Sequence, residues 1–261
     1  MLKTILGGIM KKLLSASLLA TAAMAAPAFA QDADHVGGYV QIRAGLADAK
    51  NPNLTFVDDT TDNDPLLVTA KANQKSAATF GGEIGYDFGP VRLGVELAYN
   101  RHKINALTFK TFDGDPVPAT GFDELFADLT GWDEDELDAF SFNGTTVRAK
   151  KGSIAKQRQL AVMANATFDI PVDGAVQPYV GAGLGGVSSR LSGFGEKDSE
   201  FKFAWQLRAG AAFTVSDGVA ITADYTYRQS GKTSYTFDDT EAYRFNKSKL
   251  SLFQLGLRAD F

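Results

Sequence analysis

Long segments of this chain alternate between apolar residues and polar or small ones with a period of two. Near the C-terminal end, one face of an extended chain would carry Phe253, Leu255 and Leu257, and the opposite face Gln254 and Gly256. A strand points successive side chains to opposite sides of a sheet, so this pattern indicates strands that face two different environments. The alternation predicts eight strands, at 36–47, 75–88, 91–104, 155–170, 176–191, 201–215, 219–229 and 247–261.

The predicted strands are long, and several carry charges at mid-strand opposite the apolar face. Most exceed the roughly ten residues that a tilted strand needs to cross a membrane, whereas strands of a soluble β-sandwich are usually shorter. The pattern therefore favours an all-β fold, an eight-stranded antiparallel up-and-down transmembrane β-barrel, over a sandwich. In the weakest segment, 176–191, we expect a β-bulge at Gly185-Gly186 that shifts the alternation.

The N-terminal segment has the features of a secretory signal peptide. Two lysines precede an apolar run over 13–26, and Ala28 and Ala30 supply the small residues of a cleavage site. We therefore predict a signal peptide at 1–30 and a mature barrel domain at 31–261. An uncleaved membrane helix is the alternative, but the apolar run is short for a span. The start of translation stays open between Met1 and Met10.

The connections between the predicted strands alternate between short and long. The short ones carry Gly, Pro or Asp, as tight turns require, and fall at 88–90, 171–175 and 216–218. The long ones are 48–74, 105–154, 192–200 and 230–246. Because outer-membrane barrels have short periplasmic turns and long extracellular loops, we predict an outer-membrane location with both termini in the periplasm. Aromatic residues near strand ends predict interfacial girdles, formed by Tyr39, Tyr86, Phe88, Tyr99, Phe168, Phe201, Phe203, Phe213, Tyr227 and Phe261.

Three segments resemble a known family of barrels. The sequences FGGEIGYDF at 80–88, QPYVGAGLG at 177–185 and LRADF at 257–261 are similar to the eight-stranded opacity/surface-antigen barrels, which are related to the OmpA transmembrane domain. The resemblance covers about 36–261 and implies a non-catalytic role in envelope structure or surface interaction, as an adhesin or opacity-like protein. The alternation that ends in a terminal aromatic residue resembles the signal read by the barrel-assembly machinery, at Phe253, Leu255, Leu257 and Phe261.

Because the sequence stops at Phe261, we do not expect the cell-wall anchoring domain that follows the barrel in full-length OmpA.

Charged residues fall on the inward face of several predicted strands. The interior of an eight-stranded barrel is just filled by side chains, and buried charges must be paired. We therefore predict an ion-pair plug in the lumen, in which Arg43, Arg92, Arg208 and Arg258 neutralise Glu83, Glu96, Asp224 and Asp260. A narrow pore gated by re-pairing of these charges is the alternative.

Basic residues are frequent at the predicted outer strand ends, although the net charge of the chain is −5. The acidic balance argues against nucleic acid as a partner. Cations at this level would meet the phosphates of lipopolysaccharide in the outer leaflet, and snorkelling is the alternative explanation. The predicted rim comprises Lys75, Arg101, Lys103, Lys156, Arg158, Arg190, Lys202, Lys247 and Lys249.

The long connection 105–154 contains a helix-like segment over 122–140. Thr120 and Asp123 resemble a capping box at its start, and its apolar face is expected to dock on the barrel rim. Ten acidic residues and no basic ones occur from Asp113 to Asp138. A Ca²⁺ site at 133–136 is an alternative use of these carboxylates, although the spacing does not match an EF-hand. We expect an extracellular ligand to bind through loops 48–74 and 105–154.

The chain offers little for catalysis or for metal binding. It has no cysteine, and its two histidines, His35 and His102, are far apart in sequence. We therefore predict no metal, no cofactor and no enzymatic activity. A lipid A-modifying barrel enzyme is the alternative, but only His102 would lie near the outer leaflet and no serine and acid accompany it. Neither the ligand nor the oligomeric state has a signature in the sequence.

Overall fold

The computed structural model describes residues 36–58, 66–193, 196–236 and 241–261. The predicted signal peptide at 1–30 and His35 lie outside the described residues. In chain order the strands and helices are β1 (Val36–Ala49), β2 (Asn53–Asp58), β3 (Leu66–Gln74), β4 (Ala77–Phe88), β5 (Val91–Phe112), β6 (Asp115–Pro116), α1 (Phe122–Thr130), α2 (Glu134–Leu137), β7 (Phe140–Asn143), β8 (Thr146–Ala149), β9 (Ala155–Asp169), β10 (Val176–Gly193), β11 (Glu196–Ser216), β12 (Val219–Ser230), β13 (Thr233–Thr236), β14 (Glu241–Phe245) and β15 (Lys249–Asp260). Within the described ranges, no helix is long and apolar enough to cross a membrane.

Eight of these strands close into an antiparallel barrel. The ring runs through β1, β4, β5, β9, β10, β11, β12 and β15, and the pairing of β15 with β1 closes it. Phe253 and Leu255 are exposed on the outer surface, whereas the residues between and before them, Gln254 and Leu252, are buried inside. Each predicted strand has its counterpart in the ring, so the predicted fold class is confirmed.

Two details of the predicted barrel wall are wrong. No bulge interrupts β10 at Gly185-Gly186, because its pairing with β9 and β11 continues without a shift. The register shift in this part of the wall lies instead between Thr214 and Ser216 of β11. Tyr39 does not belong to an aromatic girdle, because its alternation places it inside the barrel, where it is fully buried.

The barrel wall continues outward beyond the predicted ends of the strands. β5 runs on to Phe112, where it pairs with β3 and β8, although the pattern predicts a loop from 105. β3 pairs with β2, β2 with β14, and β14 with β13. The predicted loop at 192–200 is also wrong, because β10 continues to Gly193 and β11 begins at Glu196. The long connections are therefore largely strand, and they form an extension of the wall at the end of the barrel opposite the chain termini.

Apolar side chains fill the space that this extension encloses. β3 turns Val68 and Ala72 inward, and its outward positions Thr69 and Lys71 face water rather than lipid. A cluster of buried side chains from seven strands, which we call the apolar cap, contains Leu54, Ala72, Ile104, Leu107, Ala155, Leu191, Tyr235 and Phe245. Burial raises the pKa of the Tyr235 hydroxyl above its usual value. Because several of these residues lie on barrel strands, the cap lies at the outer mouth of the lumen.

The first helix of the connection 105–154 begins without the predicted capping box. Gly121 precedes α1 with a φ of 71°, in the left-handed region, and no side chain caps the first turn. The prediction that Thr120 and Asp123 cap this helix is therefore wrong. Glycine adopts this backbone geometry without the steric cost that a Cβ would add, so the chain enters the helix by a turn instead.

The predicted helix over 122–140 is divided into two. Gly131 ends α1 with a φ of 64°, and α2 follows after a short link. A capping box does form at α2, where the Asp133 side chain accepts from the Glu136 amide at 2.9 Å. The Glu136 side chain in turn accepts from the Asp133 amide at 3.3 Å.

Aromatic rings form the core of the connection 105–154, which we call the loop-2 module. Phe126 of α1 contacts the rings of Phe109, Phe142 and Trp132 at centroid distances of 5.7, 5.6 and 5.6 Å. Phe122 contacts the same Phe109 ring at 5.4 Å. The apolar face of α1 therefore packs on the outward extension of β5 and on β7, beyond the barrel rim on which it was expected to dock.

We expect Phe126→Ala to loosen the loop-2 module and to leave the barrel closed. The half-buried ring contributes about 2 kcal/mol through its burial, and the barrel strands do not depend on it. Limited proteolysis should cleave the variant faster within 113–139, while its gel mobility without heating stays that of a folded barrel. Phe56→Ala, which removes a ring that packs on Tyr243 in the extension, is the matched control. Unchanged cleavage of Phe126→Ala would contradict this role of the aromatic core.

Candidate functional site

Charged side chains fill the middle of the lumen. Glu83 of β4 and Glu96 of β5 lie directly opposite each other and both point inward. Two opposed carboxylates repel each other unless cations neutralise them. Arg208 bridges them, at 3.0 Å from Glu83 and 2.5 Å from Glu96. Arg43 reaches Glu83 at 2.7 Å, and Arg228 reaches Glu96 at 2.7 Å. These five residues, which we call the central network, come from five different strands.

Neutral amides add hydrogen bonds to the two carboxylates of the central network. Asn165 donates to Glu83 at 2.8 Å and to Glu96 at 3.1 Å. Gln206 donates to Glu96 at 2.8 Å and accepts from Arg228 at 2.8 Å. Both carboxylates therefore accept several charge-assisted hydrogen bonds, which is the condition under which a buried charge is tolerated.

A second group of charges lies nearer the chain termini. Arg92 binds Asp169 through two hydrogen bonds of 2.6 Å each. Its guanidinium lies 5.6 Å from the ring centroid of Tyr39 and 5.2 Å from that of Tyr179. The Tyr39 hydroxyl donates to Glu83 at 2.7 Å, so this ring joins the second group to the central network.

Inward-facing glycines provide the room for these rings. A Cβ on Gly85 would lie 2.7 Å from the Tyr39 ring, and one on Gly94 would overlap the Tyr39 hydroxyl. A Cβ on Gly210 would lie 2.7 Å from the Tyr179 ring. An eight-stranded lumen is only wide enough to be filled by side chains. A large ring therefore fits where a neighbouring strand has a glycine, which lacks a side chain.

The structure places all eight charges of the predicted lumen plug inside the barrel. Asp224 lies at the edge of the central network, 3.9 Å from Arg208. Arg258 pairs with Asp260 on its own strand at 3.0 Å. The other predicted charges form the pairs between strands that are described above. The predicted set was incomplete, because Arg228 and Asp169 also belong to it. Their signal was present in the sequence, since each continues the inward alternation of its strand.

The lumen is closed at two levels in the part of the chain that the structure describes. The central network fills its middle, and the apolar cap fills its outer mouth. Polar side chains such as Thr79, Asn100 and Gln159 lie on inward positions of neighbouring strands between these two levels. Re-pairing of the central network alone would therefore leave the cap in place.

The nine residues of the predicted basic rim do not form an even ring. Five of them lie on the outer wall of β5, β9 and β10, namely Arg101, Lys103, Lys156, Arg158 and Arg190. Lys75 adjoins this group, because its amide donates to the Lys103 carbonyl at 3.1 Å. Lys202 does not belong to the outer rim, because it falls on the inward face of β11, where it pairs with Glu200 at 2.5 Å. Lys249 is the first residue of β15, and Lys247 lies two residues before it.

The residue types expected for a metal or a catalytic site are dispersed or already engaged. His102 points into the barrel with none of its surface exposed, and its Nδ1 lies 3.2 Å from the Lys75 carbonyl oxygen. It is therefore not placed to reach a lipid on the outer wall. Two of the carboxylates at 133–136 are used in the α2 capping box. Over the described ranges, no group of three His, Cys, Asp or Glu residues is arranged to hold a metal ion.

The four residues of the predicted assembly signal lie on the outer surface of the last strand and just beyond it. Phe253, Leu255, Leu257 and Phe261 are each at least 44% exposed. The Phe261 amide donates to the Gly38 carbonyl at 2.8 Å, so the terminal residue still belongs to the pairing of β15 with β1. These side chains form one exposed apolar row along the outer surface.

We expect Glu96→Gln to destabilise the barrel by about 3–5 kcal/mol, because it leaves the guanidiniums around Glu96 without their shared anion. Urea unfolding of the protein from lipid vesicles, followed by tryptophan fluorescence, measures this loss.

The double variant Glu96→Gln with Arg228→Gln should lose less stability than the sum of the two single changes, because the partners are in contact. Asp138→Asn, which breaks the exposed pair with Lys150, is the control and should change stability by less than about 1 kcal/mol. Equal stability of Glu96→Gln and wild type would contradict this account.

In planar bilayers we expect no steady ion conductance from the wild-type protein or from Glu96→Gln. The reason is that the apolar cap lies outward of the central network and is independent of it. A general porin in the same bilayer provides the positive control. Conductance from Glu96→Gln alone would show that the cap does not seal the lumen.

Comparison with known proteins agrees with this architecture. The profile of the family described as "Outer membrane protein beta-barrel domain" matches residues 16–261. Outer membrane protein PagN of Salmonella typhimurium is 28% identical over 246 residues, which cover 86% of this chain and 90% of PagN. An uncharacterised protein of Brucella abortus is 24% identical over 213 residues, which cover 73% of this chain and 63% of that protein.

Among solved structures, Neisserial surface protein A superposes with a TM-score of 0.50 at 17% identity, covering 86% of this chain and 97% of that one. This likeness concerns the fold. The family profile spans the whole barrel, and the ring of eight strands has the apolar outer surface and paired interior that a membrane-spanning barrel requires. The chain therefore belongs to the outer membrane protein beta-barrel domain family and is a protein of the outer membrane.

Proposed function

We propose that this protein is a non-catalytic outer-membrane barrel that contributes to envelope structure and presents an interaction surface to the outside, in the manner of an adhesin or opacity protein. The observation that carries the proposal is the loop-2 module, a folded unit held beyond the barrel. Loops that are positioned by a rigid scaffold are frequent sites of binding.

The loop-2 module is joined to the barrel wall by strand pairing and not by a flexible linker. β8 pairs with the outer part of β5, from Ala106–Arg148 to Thr108–Thr146, and β7 pairs with β8. The aromatic core then fixes α1 against these strands. A partner would therefore meet a preformed surface, which lowers the entropy cost of binding.

The exposed face of the module is acidic. Its carboxylates are solvent-exposed along both helices and the link between them, at Asp123, Glu124, Asp128, Asp133, Glu134, Asp135, Glu136 and Asp138. One basic partner is within reach, since Lys150 pairs with Asp138 at 2.9 Å. A surface of this charge favours partners with a positive surface and disfavours nucleic acid.

Other functions have less support from the geometry. Transport would require a path through the central network and the apolar cap. Lipid A modification would require catalytic groups on the outer wall, and His102 lies inside. PagN, which has the higher identity of the two relatives described above, is named an outer membrane protein, and this name is compatible with the proposed role.

Two further partners belong to this proposal. Lipopolysaccharide would contact the basic rim through its phosphates, and the barrel-assembly machinery would read the exposed row that ends at Phe261. Both partners act on the barrel, so they are separate from the ligand of the loop-2 module.

The proposal predicts that adhesion depends on the loop-2 module. A Gram-negative laboratory strain that produces the wild-type protein should bind epithelial monolayers severalfold better than one in which a short glycine linker replaces 113–143. Neutralising three of the eight exposed carboxylates with Asp123→Asn, Glu124→Gln and Asp128→Asn should also lower binding, because the surface loses part of its negative charge while the module stays folded.

Asp173→Asn with Asp217→Asn is the matched control, because it removes exposed carboxylates from the short turns at the other end of the barrel. Lipid A mass spectra of the same strains should be identical if the protein is non-catalytic. Equal adhesion of the wild type and the strain that lacks the module would contradict the proposed function.

A further inference from the structure

Three arginines lie side by side on the outer wall of the barrel. Arg101 of β5 is directly opposite Arg158 of β9, and Arg158 is directly opposite Arg190 of β10. All three side chains are exposed and point outward. Neighbouring strands are about 4.8 Å apart, so the three Cα atoms fall within about 10 Å of one another.

Two lysines extend this group by one step toward the outside. Lys103 is opposite Lys156, two residues beyond Arg101 and Arg158 on the same strands. We call the five cations, Arg101, Lys103, Lys156, Arg158 and Arg190, the basic patch. Five of the nine rim cations are thus gathered on three of the eight barrel strands, which is not what dispersed snorkelling would produce.

The protein itself does not neutralise the basic patch in its described part. Like charges placed directly opposite on neighbouring strands destabilise a sheet. The outward-facing positions of β5, β9 and β10 carry no acidic residue. Among the described residues no carboxylate on these strands faces the basic patch, so the patch is open to an anion from outside the chain.

The basic patch lies where the apolar outer band of the barrel ends. One step toward the membrane, the outward positions are Tyr99 and Leu160, each 41% exposed. The next steps carry Leu97 and Val162, which are also exposed and apolar. A row of cations directly above an apolar band, with an aromatic residue between them, is placed at the level of lipid headgroups.

We propose that the basic patch is a specific binding site for the phosphate groups of a phosphorylated glycolipid of the outer leaflet, that is, lipopolysaccharide. The inference rests on the proposed function and narrows its lipid contact from the whole rim to one wall of the barrel. Guanidinium groups bind phosphate oxygens in a bidentate manner, and three of them in a row can bind one headgroup from several sides. The lysines add charge beyond them.

The test compares two triple variants of the full chain, folded in detergent micelles. Arg101→Gln, Arg158→Gln and Arg190→Gln together remove the centre of the basic patch. Lys50→Gln, Lys247→Gln and Lys249→Gln together remove the same charge from another part of the outer end of the barrel, where the Lys50 amide donates to the Lys249 carbonyl at 3.0 Å. Binding of rough lipopolysaccharide is measured by native mass spectrometry and by the shift it causes in the thermal unfolding temperature.

We expect the arginine variant to lose about tenfold in affinity for each charge-assisted contact removed, and the lysine variant to bind as the wild type does. Equal losses in the two variants, or no loss in the arginine variant, would overturn the proposal. Gel mobility without heating verifies that each variant is folded. The single variant Arg158→Gln, at the centre of the row, gives the same answer if the triple variant fails to fold.

Two further probes separate the sources of phosphate. Lipopolysaccharide from which the phosphates have been removed should no longer bind at the patch, and inorganic phosphate at the same concentration should not shift the unfolding temperature. Tight binding of the dephosphorylated lipid, or an equal shift with inorganic phosphate, would overturn the assignment. Because both variants keep the loop-2 module, their adhesion to epithelial cells reports separately on the proposed function.

Discussion

The opposition of Glu83 and Glu96 across β4 and β5 is the contact on which the interior of the barrel depends. Two carboxylates in this position are tolerated only if several cations reach them. The cations come from β1, β11 and β12, and Arg228 binds Glu96 across 132 residues of sequence. Arg208 and Arg228 lie on strands that pair with neither β4 nor β5, so closure of the ring is what brings these two cations to the carboxylates.

The faces of the barrel strands could be predicted because each strand separates two environments. On β12, Asp224 and Arg228 fall on the inward face by alternation alone. Which charges meet could not be predicted, since partners such as Arg92 and Asp169 are decided by the register between β5 and β9. The error at Tyr39 has the same origin: an aromatic residue near a strand end suits a girdle, but its face places it inside.

The extension of the wall could not be predicted from the sequence, because strands such as β2, β13 and β14 are short and lack a long alternating pattern. The apolar cap joins Leu54 to Phe245, and these residues meet only because β2 pairs with β14. Nothing local in either segment indicates that pairing. In the loop-2 module the apolar spacing correctly indicated helix, but Gly131 divides the predicted helix into two. A glycine in the left-handed region also begins α1, where a side-chain cap was expected.

Register also shows that charge is segregated along the axis of the barrel. The basic patch lies at the level where the apolar band ends, and the exposed carboxylates of the loop-2 module lie in a unit that β8 joins to the outer part of β5. An acidic module close to an anionic leaflet would be repelled by it, and at physiological salt this repulsion decays within about 8 Å. In the proposed arrangement, cations at the headgroup level neutralise the lipid phosphates there, and the pairing of β5 with β8 holds the carboxylates farther out. The two regions of opposite charge would then act together, since one would bind the barrel wall to the leaflet and the other would keep the module directed toward the medium.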